Sequence, residues 1–129
     1  MIVGLGMDVV DIARIQRILD GPPERSERFL ARCFTAGERA YCDGARDRAA
    51  RYAARFAAKE AASKALGVPA QIGWHDVEVL RGAGAPALEL RGTAAAAAGR
   101  LRVERAHLTL THDAGISAAM VVLEGKDGA

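Results

Sequence analysis

Apolar and polar positions alternate with two different periods along this chain, and the period changes mark its elements. Residues 2–10 (IVGLGMDVV) are apolar and β-branched and predict a strand. From Ile12 to Leu19 the period is helical, with Ile12, Ile15, Ile18 and Leu19 on one side and Arg14 and Arg17 on another. Gly21-Pro22-Pro23 stops that helix, and a second runs from Glu24 to Cys33. Thr35 and Glu38 have the spacing of a capping box and start a third. The longest helix spans about Asp47 to Leu66, rich in Ala and Arg and closed by Gly67 and Pro69.

Beyond Pro69 the period shortens. Val77, Val79 and Leu80 predict a strand, Gly82–Gly84 a turn, and Leu88 and Leu90 a returning strand. Thr93 to Arg100 is an alanine-rich helix ending near Gly99. Residues 106–112 and 116–123 form a hairpin about Asp113-Ala114-Gly115. This order predicts an α+β fold, a largely antiparallel sheet packed with helices. The 129 residues make one domain, 1–124, with a frayed tail at 125–129.

Composition narrows the classes. Half the residues are apolar and 26% are charged, a globular balance. No apolar run is long enough to span a bilayer, and the opening lacks a signal peptide's basic start, so no membrane association and a cytoplasmic location are expected. Cys33 and Cys42 then read as free thiols. Six aromatics and no recognisable motif argue against nucleic acid. Net charge is only +2, yet residues 12–66 carry +5. Arg25, Arg28 and Arg32 follow helical spacing, with Arg14 and Arg17 on the preceding helix. They make either a solvated face or a strip that docks an acidic helix.

Three places hold candidate chemistry. In Gly4-Leu5-Gly6-Met7-Asp8, strand alternation puts Gly4, Gly6 and Asp8 on one face and Val3, Leu5, Met7 and Val9 on the other. Either the glycines leave room for a metal or ligand beside Asp8, or they lie under a helix and Asp8 caps the next one. In the segment 55–67, Phe56, Glu60, Ser63, Lys64 and Gly67 share a stripe, beside a stripe of Ala57, Ala61 and Ala65. Glu60 and Lys64 are an i,i+4 surface pair or functional groups in a cleft. If Asp8 faces this helix, two carboxylates can share a hard cation such as Mg²⁺. His112 ends a strand on the face of Leu108 and Leu110, as a structural residue or a ligand contact. Ligand spacing for zinc and a nucleophile elbow are both missing.

Together these segments resemble the holo-[acyl-carrier-protein] synthases, the small bacterial 4′-phosphopantetheinyl transferases. Ile2-Val-Gly-Leu-Gly-Met-Asp8, continued by Ile12, Arg14 and Ile15, resembles the family's first motif. Arg55-Phe-Ala-Ala-Lys-Glu-Ala-Ala-Ser-Lys-Ala-Leu-Gly67 resembles its most diagnostic one. Arg28-Phe29, Arg32 and Thr35-Ala-Gly-Glu38 resemble the segment between, and Leu108-Thr-Leu-Thr-His112-Asp113 with Ala118-Ala119-Met-Val-Val the closing one. Thr109 and Thr111 stand where serines are common, and Ala85 where a lysine is frequent.

The resemblance implies an α+β enzyme that moves the 4′-phosphopantetheine arm of coenzyme A onto a serine of apo-acyl carrier protein. Adenosine 3′,5′-bisphosphate is released, and Mg²⁺, or Mn²⁺, is used. Asp8 and Glu60 would hold the metal, and Glu60 would take the serine proton through a water. Lys64 would steady the breaking pyrophosphate. Arg55 and His112 would meet the nucleotide end with its 3′-phosphate, while Arg14, Arg25, Arg28 and Arg32 would dock the carrier's acidic helix. It further implies a homotrimer with sites between subunits. The residues alone also fit a non-catalytic module for an acidic helix, or a metal-dependent nucleotide hydrolase.

Overall fold

The computed structural model describes residues 1–82 and 84–126. The chain opens with β1 (Ile2–Asp11), followed by α1 (Ile12–Leu19), α2 (Pro23–Cys33), α3 (Ala36–Asp43) and α4 (Arg48–Ala65). Then come β2 (Val77–Leu80), β3 (Ala87–Leu90), α5 (Gly92–Arg100), β4 (Val103–Asp113) and β5 (Ile116–Gly125). The strands form an antiparallel three-stranded sheet in the order β1-β5-β4 and a separate antiparallel β2-β3 pair. The α+β expectation holds. The expected turn at Gly82–Gly84 includes Ala83, which lies outside the described residues. Gly125, expected to begin the frayed tail, instead closes β5 and donates its N–H to the Met1 carbonyl at 2.8 Å, while residues 127–129 lie outside the described residues. No described helix is long and apolar enough to cross a membrane.

Local chemistry explains the boundaries. Asp11 caps α1 by accepting from the Ala13 N–H at 3.0 Å. The Thr35–Glu38 capping box is present in full at the start of α3. Gly67, at φ +81, takes the left-handed conformation just past α4. Ala114 and Gly115, at φ 52 and 81, give the two-residue β4–β5 loop the backbone of a type I′ turn.

Helix α4 is the centre of the core. Ala53, Ala57, Ala58, Ala61 and Ala62 on it are essentially inaccessible. The glycines of β1 explain how close the sheet comes. A Cβ on Gly4 would lie 2.2 Å from the Ala65 carbonyl oxygen, and one on Gly6 would meet the Ala61 carbonyl closer still. The space beside these glycines is therefore filled by helix backbone, so of the two readings of Gly4 and Gly6 the one that lays them under a helix holds and the ligand recess does not. Buried Ser117 adds a tie by donating to the Ala50 carbonyl at 3.1 Å. On the far face of the sheet Leu5, Met7, Val9, Ile116 and Met120 stay exposed. Val3 departs from the expected alternation: a bulge between Ile2 and Gly4 leaves it half-buried against the core and Gly125.

An ion pair is buried in the core. Lys59 Nζ lies 2.8 Å from Glu38 Oε1, with both side chains almost wholly buried. The same ammonium donates to the Trp74 carbonyl at 2.9 Å and the Val77 carbonyl at 2.5 Å. Glu38 also accepts from the Thr35 N–H and, at 2.9 Å, from the Val79 N–H. α3, α4 and the segment entering β2 are thus pinned together by groups whose hydrogen-bonding capacity is used.

Two outcomes follow. Gly6→Ala should destabilise the fold by about 3 kcal/mol, because backbone has to move, whereas Gly99→Ala, with open space around it, should stabilise by about 0.5 kcal/mol. Urea unfolding of both variants checks this, and a neutral Gly6→Ala would refute the close-approach argument. Lys59→Met should cost about 3–5 kcal/mol by stranding the buried Glu38 charge, and adding Glu38→Gln should recover part of it. A cost below about 1 kcal/mol would mean that the pair carries little of the fold.

Candidate active site

Strand β1 and helix α4 bring the expected carboxylates to one place. Asp8 follows Gly4 and Gly6 on the strand face turned to α4, opposite Ala119 in the ladder. It is not a helix cap, since Asp11 fills that role. Lys64 reaches across from α4, its Nζ 3.1 Å from Asp8 Oδ1 and 3.0 Å from the Met7 carbonyl oxygen. The lysine therefore pairs between elements, with Asp8, and not along its own helix with Glu60.

Glu60 lies one helical turn earlier and shares a cleft of about 270 Å³ with Asp8, Val9, Val10, Arg14 and Phe56. Burial pushes the Glu60 carboxyl above its ordinary range, the Asp8 charge pushes it further, and Lys64 and Arg14 oppose both. Two carboxylates held this close repel each other, and a bound dication relieves that repulsion. Among the described residues no group of three or more His, Cys, Asp or Glu side chains gathers to hold a metal. The two carboxylates of Asp8 and Glu60 could hold an ion such as Mg²⁺, which takes one or two carboxylates and fills its other positions with phosphate oxygens and water.

A second cavity, of about 160 Å³, opens on the other side of Glu60, between Ser63, Ile72, Trp74 and the Lys59 stem. Ser63, expected on the functional stripe, is buried and donates to the Lys59 carbonyl at 3.0 Å. Trp74 packs on Phe56, centroids 4.9 Å apart, which continues through Phe29 to Phe34 and Tyr52. The Lys59–Glu38 pair that fixes this wall is not signalled by any local motif. A lysine among residues as small as Ala58 and Ala62 is the one hint that its face is buried.

Arg55 and His112 are not part of this cleft. Arg55 precedes Glu60 by five residues, which turns it by about 140° around the helix. It is buried against α3, its guanidinium 4.2 Å from the centre of the Tyr41 ring. His112 is exposed at the end of β4, its Nε2 3.9 Å from Asp47 Oδ2 beside the start of α4. Arg51 joins them there, its Nε 3.0 Å from Asp47 Oδ1, and that hydrogen bond holds the Asp47 carboxyl below its usual range.

The basic strip divides. Arg14, Arg17 and Arg25 border one groove of about 340 Å³ with Ile18, Gly21 and Pro22 at its base. Arg14 also lies over the Phe56 ring, 5.9 Å from its centre, so the groove opens beside the Asp8–Glu60 cleft. Arg28 and Arg32 are exposed on α2 and do not line the groove. Cys33 and Cys42 are buried free thiols, and burial pushes Cys42 up to about 12, which leaves it protonated and unreactive.

Known proteins share this fold. The chain is 72% identical over 127 residues to the holo-[acyl-carrier-protein] synthase of Anaeromyxobacter sp. (strain Fw109-5), covering 98% of each. The Bacillus anthracis holo-(acyl-carrier-protein) synthase in complex with CoA (3′,5′-ADP) superposes with a TM-score of 0.78 at 31% identity, over 98% of this chain and 99% of that one. The Helicobacter pylori holo-[acyl-carrier-protein] synthase in complex with coenzyme A gives a TM-score of 0.78 at 27% identity, over 93% and 99%. Residues 4–119 match the 4′-phosphopantetheinyl transferase superfamily, and the chain belongs to that family.

Proposed function

We propose that the chain transfers the 4′-phosphopantetheine arm of coenzyme A to a serine hydroxyl of an apo-acyl carrier protein, releasing adenosine 3′,5′-bisphosphate. The observation that carries this reading is the convergence of Asp8, Glu60, Lys64 and Arg14 around one cleft, beside a basic groove. Phosphoryl transfer needs positioning and charge neutralisation more than a nucleophile of the enzyme's own. The carrier serine attacks the β-phosphorus, and the bond from that phosphorus to the bridging oxygen breaks. Glu60 takes the serine proton through a water. Lys64 steadies the charge on the departing phosphate. Asp8 and Glu60 would hold Mg²⁺, or Mn²⁺, which when bound neutralises pyrophosphate charge.

The carrier's acidic helix would lie along the groove of Arg14, Arg17 and Arg25, with Ile18 against its apolar side and Arg28 and Arg32 flanking. Arg55 and His112 would meet the nucleotide end of coenzyme A from a neighbouring subunit. Their separation from Glu60 within one chain supports that division. So does the exposed apolar sheet face of Leu5, Met7, Val9 and Met120, a surface that needs a partner, here two further copies in a homotrimer. We place the reaction in the cytoplasm, in fatty acid biosynthesis; the two unpaired thiols suit a reducing compartment. The single domain proposed for residues 1–124 contains all of these groups.

Intact-mass spectrometry of an apo-acyl carrier protein incubated with this chain, coenzyme A and Mg²⁺ tests the reading. The carrier should gain one phosphopantetheine, and EDTA should prevent it. Glu60→Gln and Asp8→Asn should each lower kcat at least about 100-fold with the circular-dichroism spectrum unchanged. Near-normal turnover of either at saturating Mg²⁺ would refute the metal assignment. Arg25→Glu should raise KM for the carrier about tenfold and flatten its salt dependence, with kcat little changed. An unaltered dependence on carrier concentration would remove the groove as the docking face.

A further inference from the structure

The first half of α4 holds a charge that no side chain among the described residues neutralises. Arg55 is 2% exposed, and among the described residues it pairs with no carboxylate. Its Nε has no hydrogen-bond partner, and its Nη1 reaches only the Arg51 carbonyl, at 3.5 Å. Burying a guanidinium this way is costly unless an anion arrives. What it has is the face of Tyr41, on α3, 4.2 Å from its central carbon. Arg51 lies over the same ring at 5.4 Å and donates from Nη1 to the Tyr41 hydroxyl oxygen at 2.5 Å.

One ring therefore holds two guanidinium groups. Stacking engages the flat face of a guanidinium, while its N–H donors radiate in the plane. A carboxylate in the place of Tyr41 would occupy those donors; the ring holds the cation and leaves them open. The unpaired fork of Arg55, beside an Arg51 whose Nε and Nη1 are engaged by Asp47 and the Tyr41 hydroxyl, suits a phosphate monoester, which offers three terminal oxygens and two negative charges. Asp47 constrains the cluster, because it engages Arg51 Nε and lies near His112, yet it leaves Arg55 unpaired.

We propose that Tyr41 is a positioning residue for substrate recognition, holding Arg55, with Arg51 beside it, so that the unpaired donors of Arg55 meet the terminal phosphate monoester at the nucleotide end of the substrate. The inference rests on the reading that Arg55 receives that end of coenzyme A. Tyr41 itself touches no substrate; it acts through the two arginines. Its influence is therefore specific to the 3′-phosphate and falls on substrate choice.

The test is the ratio of kcat/KM for coenzyme A to that for 3′-dephospho-coenzyme A, measured with saturating apo-carrier protein. It is run on the intact protein, on Tyr41→Leu and Tyr41→Phe, and on Arg55→Gln as the reference. Tyr41→Leu, which removes the ring, should lower the ratio about tenfold, the loss appearing in KM for coenzyme A. Tyr41→Phe keeps the stacking face but not the acceptor for Arg51, and should lower it about threefold. Arg55→Gln should bring it close to one. If Tyr41→Leu slows both substrates equally, Tyr41 is only structural and the proposal fails. If Arg55→Gln collapses the ratio while both Tyr41 variants keep it, the reading of Arg55 stands and the role of Tyr41 does not. If Arg55→Gln keeps the ratio, the reading of Arg55 falls and takes this inference with it. Should Tyr41→Leu not fold, Tyr41→Phe decides alone, and a ratio equal to that of the intact protein overturns the proposal.

Discussion

The contact between the glycines of β1 and the carbonyl edge of α4 sets the geometry of everything else in the chain. Gly4 and Gly6 let the strand lie directly on the Ala65 and Ala61 carbonyls, nearer than any side chain permits. Asp8, two residues further along the same face, is then carried to the helix at the level of Glu60 and Lys64. Alanine at 57, 61 and 65 is the other half of the same fit: a larger residue would push the strand away and separate the carboxylates. Packing and site thus share one cause, and the glycines belong to the site through geometry without touching a ligand.

The buried Lys59–Glu38 pair plays the matching role on the opposite side of α4. A short alanine-rich helix surface offers little to grip an irregular segment such as 69–76, which has no ladder of its own. An ammonium with three acceptors supplies direction that apolar contacts lack. It fixes Trp74 and the cavity wall beside Glu60, at the expense of burying two charges. Glu60 therefore sits between a strand held by close packing and a loop held by hydrogen bonds.

Much of this was legible in the sequence because it depends on local rules. The capping box at Thr35, the stops at Gly67 and Pro69, and the hairpin about Asp113-Ala114-Gly115 each follow from a few neighbouring residues. The two carboxylates of the cleft, Asp8 and Glu60, are legible as motifs, and the side of β1 on which Asp8 falls follows from alternation alone. What stayed hidden is set by contacts between distant segments. Lys64 pairs with Asp8 across 56 positions, not with the nearer Glu60. Lys59 and Glu38 lie on different helices, and nothing near either one announces the other. The purpose of Gly4 and Gly6 was left open between ligand space and helix packing, because a strand pattern does not say what covers it. Arg55 was placed by resemblance, but its stacking on Tyr41 has no local signature.

The two ends of α4 end up with opposite chemistry, and the helix itself favours the division. Its first turn carries no acidic residue, and Asp47, at the N-cap, accepts no helix N–H with its side chain. Arg48 and Arg51 stand where the macrodipole already presents positive charge, an arrangement that is unfavourable on its own. Asp43 and Asp47 offset those two arginines through direct pairs. Arg55 lies one turn deeper, out of water, with a ring instead of a counter-ion. An anion arriving there gains the unpaired guanidinium donors. At the other end, Glu60 and Asp8 gather negative charge that a cation relieves, with Lys64 beside them. A substrate that carries a phosphate monoester at one end and a metal-binding pyrophosphate further along matches both ends. The two sites lie on different faces of one helix, which is why we propose that a single substrate reaches both across two copies of the chain, joined over the bare apolar face of the sheet.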